Sequence, residues 1–120
     1  MILLLLTMTH FKMIAEQNFK NLCNLTTSLV GLRKGALSYR SRKSEYQIPR
    51  SVVSVISRIV DETKREIIAK ALKRDRSLIY HYEKMHESNY RSFPKYREIF
   101  NLVFNAYSNI QDSKRIFTDL

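Results

Sequence analysis

Glycine and proline are scarce in this sequence. Two glycines, Gly31 and Gly35, and two prolines, Pro49 and Pro94, serve all 120 residues. Strands must reverse every few residues, and their turns draw on Gly, Pro, Asn and Asp. A small all-β barrel is therefore disfavoured, and helices are the expected unit. The length suits one domain. With 44% apolar residues the chain can bury one modest core and is not a disordered basic tail. The single cysteine, Cys23, excludes an internal disulfide or a cysteine-based zinc site and fits a reducing cytoplasm. No apolar run approaches the roughly 20 residues that a membrane span requires.

Hydrophobic spacing places the helices. Met1 to Thr7 is a short apolar run without the charged front or cleavage site of a signal peptide. Residues 1–12 therefore read as the start of helix one packing on the domain, or as an extension ahead of Met8 or Met13. Phe11, Ile14, Ala15, Phe19, Leu22 and Leu25 keep helical phase, which predicts a first helix over about 10–29. Gly31 and Gly35 bracket a break, with a short helical turn at 36–39. Residues 40–47 read as a basic loop, and Pro49 fits the first turn of the next helix. The β-branched run Val52, Val53, Val55, Ile56, Ile59, Val60 competes as a strand, but positions 52, 56, 59 and 60 favour a helix. Two more helices are expected at 63–72 and 75–87. The first buries Ile67, Ile68, Ala71 and Leu72; the second buries Ile79, Tyr82 or Tyr80, and Met85 or His86. A polar break at 88–92 then leads to a last helix from Pro94. Its apolar face carries Tyr96, Ile99, Phe100, Val103, Phe104 and Tyr107, with fraying after about 112. The domain proper is thus 13–112, with a tail at 113–120.

The charge balance asks for an acidic partner. Lys and Arg number 21 against 11 Asp and Glu, a net +10. Between Arg33 and Arg76, 13 basic residues face 5 acidic ones, so +8 falls within 44 residues. Clustering of this kind suits phosphates. The two middle helices are joined by a turn of two or three residues, the spacing of a helix-turn-helix. In that motif the start of the second helix meets base edges in the major groove. Here it reads Lys73-Arg74-Asp75-Arg76-Ser77-Leu78, and Arg forks suit guanine and phosphate. An ordinary helical hairpin with a basic end is the competing reading.

The stretch Ile68-Ala-Lys-Ala-Leu-Lys-Arg-Asp-Arg-Ser-Leu-Ile-Tyr-His-Tyr82 resembles the C-terminal DNA-binding domain (domain IV) of the bacterial replication initiator DnaA. That family carries Ile-Gly, two variable residues, an aromatic, Gly, then Arg-Asp-His-Thr/Ser-Thr-Val with a His two residues on. Ile48-Pro-Arg50 stands 18 residues before Ile68, as the family's Pro-Arg-Gln precedes its Ile-Gly. The loop Ser38–Ser44 and the helix from Pro94 also have counterparts, so the resemblance covers about 22–110. It implies an all-α, single compact domain of five or six helices, Trp-repressor-like, containing a helix-turn-helix. It also implies sequence-specific binding of double-stranded DNA in replication initiation or its control. Arg74, Asp75, Arg76, Ser77 and Leu78 would face bases. Arg33, Lys34, Arg50, Ser51, Lys64, Lys73 and His81 would meet the backbone. Arg40, Arg42 and Lys43 would reach an adjacent minor groove.

The departures are specific. Arg76 stands for the family's His, Leu78 for Thr and Ser51 for Gln, and the turn is one residue shorter and lacks the Gly. Three roles stay open for Asp75: capping its helix, orienting Arg76, or accepting from a cytosine amino group. His81 matches the family's second His but reads equally as a helix histidine bonded to a neighbour. One of Tyr80 and Tyr82 packs; the other is placed to reach a phosphate.

No phosphate-binding loop occurs, since Gly31-Leu-Arg-Lys-Gly35 has the wrong spacing and no following Ser or Thr. No nucleotide or other cofactor is expected. His10, Cys23, His81 and His86 lack metal-ligand spacing, and no catalytic constellation emerges. The expectation is a cytoplasmic, nucleoid-associated DNA binder that is neither an enzyme nor a membrane protein. A helix-turn-helix transcriptional regulator, a sequence-indifferent nucleic-acid binder and a protein-interaction module with a basic face are the alternatives.

Overall fold

The computed structural model describes residues 2–119, with side chains as far as 115; Met1 and Leu120, at the ends of the expected extension and tail, lie outside them. The described residues form five α-helices and one short 3₁₀ turn, with no strand among them. In order these are α1 (Ile2–Val30), the 3₁₀ turn (Ala36–Ser38), α2 (Ser44–Val60), α3 (Arg65–Leu72), α4 (Arg76–Ser92) and α5 (Pro94–Asp119). The all-α expectation holds.

Helix α2 is the axis of the domain. Nine consecutive residues, Pro49 to Ser57, are buried. Its valines and Ile56 meet Phe19 and Leu22 of α1, Ile68 and Leu72 of α3, Ile79 and Tyr82 of α4, and Tyr96, Phe100, Val103 and Tyr107 of α5 in one core. The sequence pattern made α2 one-sided, with Ser51, Ser54 and Ser57 on its polar positions. They are buried instead, while Ile59 is exposed. The hydroxyls of Ser54 and Ser57 donate to the Arg50 and Ser54 carbonyls, at 2.7 and 3.0 Å, so burial leaves them bonded.

Several element boundaries differ from the expected ones. Helix α1 begins at Ile2 rather than near 10, and Phe11 and Ile14, expected inside, are exposed together with the whole run from Ile2 to Met13. Only from Phe19 onward does α1 bury side chains. Helix α2 begins at Ser44, so part of the expected loop is helical. The Lys43 carbonyl accepts from the Tyr46 and Gln47 amides, both at 3.0 Å, and Pro49 falls in the second turn. There it removes only the amide that would have met Glu45. In α3, Ile68, Ala69 and Leu72 are buried, whereas Ile67 is half-buried and Ala71 exposed. Helix α4 runs through the expected break at 88–92 and ends at Phe93, which adopts the extended conformation that a following proline imposes. Helix α5 carries the expected tail as far as Asp119. His86 and Tyr96 join α4 to α5 by a 2.7 Å hydrogen bond, with the His86 ring 4.6 Å from that of Phe100.

With so few glycines, how do the helices end? Gly31 closes α1 at φ 78°, with the Leu32 amide bonding back to Thr27 at 2.8 Å. Lys73 closes α3 in the same left-handed conformation, at φ 56°. Its amide meets the Lys70 carbonyl at 3.2 Å, and the Arg74 amide meets Ala69 at 2.9 Å. This double bond pattern is the helix-stop that glycine serves best. Lys73→Gly is therefore expected to stabilise the fold by about 0.5–1 kcal/mol, read from the shift in urea midpoint at constant slope. An unchanged or lowered midpoint would mean that Lys73 bears no strain.

Candidate nucleic-acid interface

The candidate surface is built from three segments that meet at one edge: the loop 39–43, the turn 73–75 and the first turn of α4. Two arginines bring them together. Arg50, on the second turn of α2, is 1% exposed. Its Nε donates to the Leu37 carbonyl at 2.7 Å, Nη1 to Ser41 at 2.7 Å and Nη2 to Tyr39. One guanidinium thus fixes alternate carbonyls along the loop. Burial, followed by the proximity of Arg74, holds its pKa below the usual arginine value, while Tyr82 and Tyr46 act the other way. An arginine nevertheless stays protonated. From the other side Arg74 donates through Nη2 to the same Tyr39 carbonyl, and through Nη1 to Lys73 at 3.0 Å and Leu72 at 3.3 Å. The loop is tied to α2 and to the turn before α4.

This arrangement corrects four of the expected contacts. Arg50 holds backbone carbonyls inside the protein and has no surface to give a phosphate. Ser51 is buried beside it. Arg74 is half-buried and spends its donors on the turn and the loop, so it positions the surface instead of reading bases. Leu78 is likewise half-buried against the core and lines a groove with Arg42, Gln47 and His81.

The remaining residues divide by place. Asp75 caps α4, its carboxylate accepting from the Ser77 amide at 3.4 Å, which among its three open roles is the one seen. Arg76 and Ser77 are exposed on the first turn of α4, and Arg76 pairs with Glu66 at 3.1 Å. Both members of that pair are about two-thirds exposed, so the pair is weak and exchangeable. Arg40, Arg42, Lys43, Lys73 and His81 are exposed around the same edge. Lys64 caps the opposite end of α3, roughly 12 Å from Lys73 along an eight-residue helix. Arg33 and Lys34 are exposed ahead of the 3₁₀ turn.

Lys34 lines a second groove, of about 460 Å³, with Lys20 of α1 and Lys70 of α3. Lys20 and Lys70 were not singled out from the sequence, because only the packing of α1 on α3 brings them to Lys34. Cys23 also lines this groove; burial pushes its thiol up to about 12, which disfavours the thiolate.

Other cations of the middle segment are consumed internally. Arg58 at 3.0 Å and Arg65 both donate to the Glu83 carboxylate, and Arg65 also lies 4.7 Å over the Tyr80 ring. Burial pushes the Glu83 carboxyl up, but the hydrogen bonds from Arg65 and Arg58 hold it below its usual value. This knot ties α2, α3 and α4 on the side away from the loop. Tyr82 is buried and Tyr80 exposed, so Tyr80 is the member of the pair with an outward ring, which it gives to Arg65. Among the described residues no group of three or more His, Cys, Asp or Glu could hold a metal ion, and no helix is long and apolar enough to cross a membrane.

No known family model, curated protein or solved structure matches the chain.

Proposed function

We propose that this chain binds double-stranded DNA, using α3 and α4 as a helix-turn-helix and the loop 39–43 as an arm on the adjacent groove. The observation that carries this reading is the double anchoring of Tyr39. Arg50 and Arg74 both hold its carbonyl, which sets a basic loop beside the exposed, capped start of α4. Cations from two separate segments then face outward on one edge, and among the described residues none of them pairs with a carboxylate apart from the exchangeable Arg76–Glu66 pair. Arg76 and Ser77 face bases. Lys73, Lys43 and Arg42 hold phosphates, and Arg40 enters the minor groove. The resemblance to the DnaA C-terminal domain supports a role in replication initiation or its control, near the nucleoid. Arg76 departs from that family at a base-facing position, so the preferred site differs from the initiator's box or is read less strictly.

The test is fluorescence anisotropy with two labelled duplexes at several salt concentrations, one carrying an initiator-type box and one the same bases shuffled. Binding to both, weakening steeply with salt, is the expected electrostatic signature, and preference for one duplex marks base reading. Arg76→Ala is expected to weaken binding by about 1–3 kcal/mol. If neither duplex binds at low salt, the DNA reading fails and the protein-interaction reading takes first place.

A further inference from the structure

The longest stretch of unpartnered apolar surface lies at the far end of α1. Residues 2–14 form the outer end of α1, a helical stretch about 20 Å long. Nine large apolar side chains there, from Ile2 to Ile14, are between 43% and 79% exposed. Together they leave on the order of 800–1,000 Å² of apolar surface in water, above the roughly 300–600 Å² of the largest patch on an ordinary monomer. An antiparallel pair buries the face turned to the partner, roughly half of that area, and the contact of each tip with the partner's groove adds to it, against the roughly 800 Å² that each partner contributes to a standard interface.

We propose that this half-helix is the interface of a two-fold dimer: two copies of residues 2–14 pair antiparallel, and the tip of each seats at the base of the other. Three observations select a second copy of this chain as the occupant. The first is a groove of about 610 Å³ where α1 leaves the body, with Met8, Phe11, Ala15 and Ile67 among its lining. In an antiparallel pair crossing near Met8, residues 4 and 5 of one copy fall beside residues 11 and 12 of the other, at this groove. The second is charge. The groove is lined by four carboxylates, Glu16, Asp61, Glu62 and Glu66, against three lysines, Lys12, Lys64 and Lys70, and the first turn of α1 has no acidic residue, so the positive end of the helix dipole meets a lining with a small acidic excess in the partner. The third is the distribution of cations. Lys12 is the only Lys or Arg among residues 1–19, whereas the segment 33–76 carries a net +8. Pairing through the nearly neutral helix ends leaves the cations of 33–43 and 73–76 outside the interface, and a helix without a basic face has little hold on an anionic membrane. An isologous interface needs nothing beyond the same surface twice.

The expected result in sedimentation velocity is a species of twice the 14.3 kDa chain mass at tens of micromolar protein, dissociating on dilution. The double variant Leu4→Glu/Met8→Glu sediments as a monomer at the same concentrations, with unchanged helical circular dichroism at the lowest concentration, since both side chains are exposed in the single chain. A wild-type monomer at 100 µM overturns the proposal, and so does a double variant that still dimerises. Flotation of a monomeric wild type with phosphatidylcholine–phosphatidylglycerol vesicles overturns it too, giving the surface to lipid.

Discussion

Replacing Arg50 by alanine is expected to lower the unfolding free energy by about 3–5 kcal/mol, measured by urea denaturation followed at 222 nm. The guanidinium is buried and donates to three carbonyls of the segment 37–41. Its removal leaves those acceptors without a partner, at roughly 1–3 kcal/mol each where water cannot reach them, and opens a cavity beside α2. Water reaching the outer two carbonyls keeps the total below the sum of the three. Against the roughly 5–15 kcal/mol stability of a domain this size, the loss is a large fraction. Arg50→Lys is expected to recover only part of it, because an ammonium on a flexible stem cannot span three carbonyls in a plane. The sequence resemblance placed Arg50 on the DNA backbone. On that assignment Arg50→Ala would weaken DNA binding and leave the urea midpoint unchanged, so the two measurements together decide between an anchor and a contact.

The opposite pattern is expected for the loop that Arg50 holds. The triple variant Arg40→Ala/Arg42→Ala/Lys43→Ala removes three exposed cations. Stability is expected to stay within about 0.5 kcal/mol of the parent, as for surface substitutions generally. DNA affinity near 100 mM salt is expected to fall on the order of 100-fold, and the slope of log affinity against log salt to flatten by about 2–3. A full-strength slope in the triple variant would show that the loop does not touch phosphate, and would confine the interface to the turn and α4.

The places where the sequence was readable share a property: their signal is local. Scarce turn residues and 3–4 spacing are enough to indicate helices. Capping was one of three roles open for Asp75, and it was legible because capping joins neighbours in the chain. Pro94 marks the α4–α5 junction because it constrains the residue before it. The misread places depend on partners distant in sequence, or on residues that do an unfamiliar job. The end of α3 carries no glycine, yet Lys73 adopts the glycine conformation. Ser51, Ser54 and Ser57 look like a solvent face, yet α2 is surrounded on every side. Asn89 and Ser92 look like a break, yet nothing stops α4 before Phe93.

The cations show the same division most clearly. Counting them located a basic middle segment, and the count is correct however the chain folds. What each cation does was decided only when the helices packed. Arg50 and Arg74 converge on Tyr39, Arg58 and Arg65 converge on Glu83, and Lys20 and Lys70 gather around Lys34. By itself the sequence determined that this is a helical domain with an excess of positive charge, because helix periodicity and net charge are properties of short segments and of sums. The tertiary structure decided which arginines became internal anchors and which cations face the solvent, because a guanidinium goes inside only where the fold supplies carbonyls or carboxylates to receive its donors.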